Sequence, residues 1–77
     1  MSRTLLNAAK LKLQGDATAA LGALEIILRN PAAISEHTNY VEEIIKHTKR
    51  LSENEEALKS LIKYFPDPEP TEEEQNE

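Results

Sequence analysis

His37 and His47 are the only imidazoles in a chain of 77 residues that has no cysteine. Metal or acid–base chemistry would have to start from them. Ten positions apart on a straight helix, they lie roughly 80° apart around the axis and about 15 Å along it, too far to share one ion. Glu43 stands four residues before His47 and is within reach on a helix face. Two side chains still fall short of the roughly three protein ligands that a zinc site needs. Ser2, Ser35, Ser52 and Ser60 have no base and orienting acid placed to activate a hydroxyl. Gly15 and Gly22, seven apart, do not make a phosphate-cradling loop. A chain this short also lacks walls for a water-excluding pocket. The residues read as non-catalytic, with no metal and no cofactor.

The densest basic patch is KHTKR, residues 46–50, in which Lys46, Lys49 and Arg50 share a helix face. Such a face could meet phosphate, giving a nucleic-acid-associated regulator as the alternative function. The distribution of charge argues against direct binding. Residues 1–34 sum to +2, residues 35–65 to −1, and residues 66–77 to −6, so the formal charge of −5 belongs to a tail. A near-neutral body has no long-range field to draw a polyanion. The first residues lack the apolar core of a secretory signal. No apolar run approaches the roughly 20 residues of a membrane span. With the missing cysteines, these features lead us to expect a cytoplasmic protein.

The elements that position these residues are helical throughout. Apolar side chains recur at helical spacing, and no stretch alternates as a strand would. Four segments are expected. The first, about 3–14, is capped by Ser2 and closed at Gly15, where a left-handed residue would suit a helix C-terminus. The second, 17–29, has Asp16 as its cap and ends at Asn30-Pro31. The third begins at about 31 or 39 and runs to 51. In the fourth, 53–65, Ser52-Glu53-Asn54-Glu55 forms a capping box. The expected fold is an all-α bundle of three to four helices, as two helical hairpins, over residues 1–65. Residues 66–77, PDPEPTEEEQNE, contain no apolar side chain other than proline and read as a disordered acidic tail.

A shift of 37 residues superposes Ala20, Leu21, Leu24 and Pro31 on Ala57, Leu58, Leu61 and Pro68. It fits a duplicated hairpin, and equally the likeness that any two amphipathic helices show when aligned. In the first hairpin, LQGDATAAL resembles the turn of a tetratricopeptide unit, with Gln14, Gly15, Asp16 and Ala20 at the matching positions. Thr4, Ala8 and Leu11 stand where that family has an aromatic residue, a glycine and a tyrosine. The resemblance covers residues 1–31 and implies a helix–turn–helix with its turn at Gly15.

The second segment is apolar around most of its circumference, so it must be covered on most sides. Ala17, Ala20, Leu21, Leu24, Ile27 and Leu28 form one face; Ala19, Ala23 and Ile26 form another. Either the segment is the central helix of a monomeric bundle with the other three packed around it, or the first face packs within the chain and the second meets a partner or a second copy in a homodimer. Leu58, Ile62 and Tyr64 offer a further contact on the last segment. The expected function is therefore a small non-catalytic interaction module: an adaptor, an assembly chaperone or an inhibitor of a larger protein. Its partner-binding residues would be Ala19, Ala23, Ile26, Leu58, Ile62 and Tyr64.

Overall fold

The computed structural model describes residues 3–29 and 39–68. They form two helices, α1 (Arg3–Arg29) and α2 (Tyr40–Tyr64), and no strand. The helices run antiparallel, since Arg3 at the start of α1 meets Asp67 just beyond the end of α2. The all-α expectation holds. Ser2, Asn30, Pro31, His37, any separate helix within 31–38, and residues 69–77 of the acidic tail lie outside the described residues.

The expected helix breaks are corrected. α1 runs for 27 residues straight through Gln14-Gly15-Asp16, and α2 runs for 25 residues straight through Ser52. The tetratricopeptide-like turn is therefore not a turn. Gly15 has no positive φ, and Asp16 pairs with Lys12 at 3.2 Å instead of capping a helix. The capping-box residue Asn54 donates its side-chain amide to the Arg50 carbonyl, 2.7 Å away, one turn back inside α2. A glycine in a helix interior costs only about 1 kcal/mol relative to alanine. Stopping the helix there would forfeit the packing on either side.

That packing follows a strict alternation of three and four residues. Along α1, Arg3, Leu6, Lys10, Leu13, Ala17, Ala20, Leu24 and Ile27 are buried or half-buried. Along α2 the matching positions are Ile44, His47, Leu51, Asn54, Leu58 and Leu61, all half-buried. A repeat of 3.5 is the seam of a left-handed coiled pair. Gly15 and Ser52 interrupt neither series, because both fall off the seam. Among the described residues only Leu6, Ala17, Ala20 and Ile27 are buried, and α2 contributes no buried residue. Two helices packed on one seam leave most of each cylinder uncovered.

The ends of the hairpin are closed by polar contacts. Asn39 caps α2, its side-chain oxygen accepting from the Glu42 amide at 3.2 Å, and Glu42 and Glu43 complement the helix dipole. At the open end, α2 stops while the α1 seam continues, and α1 carries cations there. Lys10 donates to the Phe65 carbonyl at 2.7 Å, and Arg3 donates to the Pro66 carbonyl at 3.1 Å. Both side chains also reach the Asp67 carboxylate at 3.3 Å. The Lys10 side chain is only 12% exposed. These cations satisfy carbonyls that the end of α2 leaves without helical partners.

Gly15 provides a direct test of the continuous α1. A Cβ built there meets nothing within 4 Å. Gly15→Ala should stabilise the protein by about 1 kcal/mol, a rise of roughly 4–8 °C in the thermal midpoint for a domain of this size. At a left-handed helix stop the same change would lower the midpoint. Thermal melts followed by circular dichroism distinguish the two.

Candidate interaction surface

On a seam of period 3.5, positions seven apart stay on the same side of the hairpin. Asn7, Gln14, Leu21 and Leu28 form one such row on α1, and Val41, Thr48, Glu55 and Ile62 form another on α2. A groove at the open end shows that the rows adjoin. It is lined by Arg3, Asn7, Lys10, Leu11 and Gln14 from α1, by Leu58 and Ile62 from α2, and by Asp67 and Pro68 after it. Beside these rows stand Leu11, one turn after Asn7, and Ile45, one turn after Val41. The result is one flank bearing six large apolar side chains: Leu11, Leu21, Leu28, Val41, Ile45 and Ile62. Leu11 is 68% exposed, Leu28 67% and Val41 64%. The apolar side chains cluster at the turn end and in the open-end groove, with Thr18, Thr48, Ser52 and the charged Glu55 between them.

The opposite flank is charged. Asp16 lies on it from α1, and Glu43 and Arg50 from α2. Glu43 accepts from Lys46 at 3.1 Å and lies 3.4 Å from Nε2 of His47. Arg50 lies 3.2 Å from Nδ1 of the same ring. A guanidinium can only donate, so this geometry leaves Nδ1 unprotonated and puts the proton of the neutral ring on Nε2, facing Glu43. The hydrogen bond from Lys46 is the main cause that holds the Glu43 carboxyl below its ordinary value of 4.5, and the charge of Lys46 and the adjacent His47 act in the same direction. A carboxyl lowered in the folded state adds stability above its unfolded value, and that stability is lost as pH falls through the folded one. Glu43→Gln should therefore lower the thermal midpoint slightly near neutrality and flatten the acid side of the stability–pH curve below about pH 4.5, where the two proteins converge, as read by thermal midpoints across a pH series.

The structure disperses the residues expected to bind a partner. Ile62 lies on the apolar flank, and Leu58 is a seam residue that floors its groove. Ala19 and Ile26 lie on the outer surface of α1, in one row with Leu5 and Lys12. Ala23 and Tyr64 lie on the charged flank, Ala23 half-buried and Tyr64 exposed, with the Lys63 ammonium 5.3 Å from its ring centre. Of the basic face, Lys46 and Arg50 engage Glu43 and His47, while Lys49 faces outward. Leu11, Leu21, Leu28, Val41 and Ile45 were not among the expected contacts. Seven-residue steps counted across Gly15 and Ser52 would have found them; a wheel drawn for each short helix could not.

Among the described residues no group of His, Cys, Asp and Glu is arranged to hold a metal ion. No helix there is long and apolar enough to cross a membrane. The fold and surface define an antiparallel helical hairpin with one apolar and one charged flank. No protein-family model, curated protein or solved structure matches this chain.

Proposed function

We propose that the chain is a non-catalytic interaction module that docks through its apolar flank onto helices of another polypeptide chain. The observation that carries this reading is the set of six large apolar side chains exposed on one side of a hairpin that buries so few residues of its own. Burying a side chain of this size contributes about 1.5–3 kcal/mol, so a docked flank would exceed the seam as a source of stability. The bundle of three to four helices expected from the sequence is reached, on this reading, between chains. Adaptor, assembly chaperone and inhibitor are all roles that such a surface supports. The nucleic-acid alternative has less in its favour, because Glu43 and His47 engage two of its three cations.

The test is site-specific photocrosslinking in the source cells. A crosslinker at Ile45, on the flank, should yield a discrete adduct that is lost in a chain also carrying Leu21→Lys. A crosslinker at Lys49, on the outer surface, should not. Equal labelling from both positions, or none from Ile45, overturns the assignment of this flank.

A further inference from the structure

The apolar flank has two unlike halves. At the turn end it projects Leu21, Leu28, Val41 and Ile45; at the open end it recedes into the groove between Leu11, Leu58 and Ile62. Near its middle, at about equal distance from both ends, stand the small side chains Thr18 and Ser52. Glu25 and Lys59 lie on this flank about seven residues to either side of that midpoint, one acidic and one basic. A surface whose two halves complement each other in shape and charge is suited to pairing with itself about a two-fold axis.

We propose that the occupant of the flank is a second copy of this chain, with its turn end laid on the open end of the first. Two hairpins then form one four-helix bundle, α1 against α1 and α2 against α2 of the partner copy. In this arrangement the projecting leucines of each copy enter the groove of the other, and Glu25 comes level with Lys59 of its partner. With both turns at one end, projections would meet projections and the grooves would stay empty. The size fits as well. α2 has 25 residues and is therefore about 37 Å long, and two helices packed at 8–10 Å present a face about 19 Å wide. That is on the order of 700 Å² per copy, or about 1,400 Å² in total, within the range of stable specific interfaces. A hairpin in which α2 has no buried residue gains from the partner the cover that its own seam does not supply.

This proposal rests on the flank being a docking surface and adds the identity of its occupant. The test is sedimentation equilibrium of the full chain over a concentration series, with thermal melts on the same samples. Against a chain mass of 8.6 kDa, the expected species has twice that mass, with a midpoint that rises with concentration. Leu21→Lys with Val41→Lys should return the mass to that of one chain, whereas Ala19→Lys, on the outer surface, should leave the pair intact. A monomer with a concentration-independent melt overturns the proposal. If flank crosslinks to another protein persist in that case, the docking surface stands and only the second copy falls. Geometry is read separately, because the chain has no cysteine. Mixing Val41→Cys with Ile62→Cys chains should give a mixed disulfide on oxidation. Self-linking of Val41→Cys alone, or no disulfide in any mixture, overturns the arrangement even where the lysine variants fail to fold.

Discussion

Glu53→Pro is expected to abolish the cooperative folding of this chain. Glu53 lies inside α2, more than two turns from either end. Proline there would remove a helical hydrogen bond and drive its ring against the preceding turn, at a cost of about 3 kcal/mol or more. A small domain has roughly 5 kcal/mol to lose, and the two halves of α2 would no longer present Leu51 and Leu58 on one seam. In a four-helix arrangement with Ser52 as a cap, Glu53 would be the first helical residue, the position at which proline is favoured. The same substitution would then be neutral. Far-ultraviolet circular dichroism with a urea titration separates the outcomes: loss of the transition supports the long helix, and an unchanged midpoint refutes it.

The second large effect is expected at Ala20. It is the one described residue with no exposed surface, at the centre of a seam where both helices approach over alanine. Ala20→Glu would force a carboxylate into the most deeply buried position of the seam, away from the Arg3 and Lys10 cations at the open end. The desolvation cost of an unpaired charge is on the order of several kcal/mol, comparable to the whole stability of the chain. Ala19→Glu, one position away on the outer surface, should change stability by no more than about 0.5 kcal/mol. Paired chemical denaturation curves check the contrast. Equal sensitivity at the two positions would contradict the seam.

These two positions also show what could be read before the structure. Helical content was legible, because Leu6, Leu13, Leu24 and Ile27 on one side and Ile44, Leu51, Leu58 and Leu61 on the other recur at helical spacing. The number of helices was not. Gly15-Asp16 and Ser52-Glu53 carry the local chemistry of helix ends, and local preferences are worth about 1 kcal/mol each. A seam running uninterrupted from Leu6 to Ile27 outweighs them, and its weight depends on α2 lying alongside, which no local window contains. The candidate surface was half legible for the same reason. Ile62 was identified as a partner contact, but Leu21 and Leu28 were assigned to the face that packs within the chain. A helix covered by three neighbours would bury them; a helix covered by one leaves them out.

The clasp of Lys10 and Arg3 on the end of α2 has a kinetic consequence. Lys10 and Phe65 are 55 positions apart, and Arg3 and Asp67 are 64 apart. Contacts near the turn join residues much closer in sequence, and separation grows steadily from the turn to the open end. The entropy of loop closure therefore favours assembly that starts beside Ile27 and Ile44 and proceeds outward. The clasp forms last and is the first contact released on unfolding. Amide exchange in the native state should accordingly be graded along each helix, slowest near the turn-end seam and fastest beyond Leu61 and before Leu6.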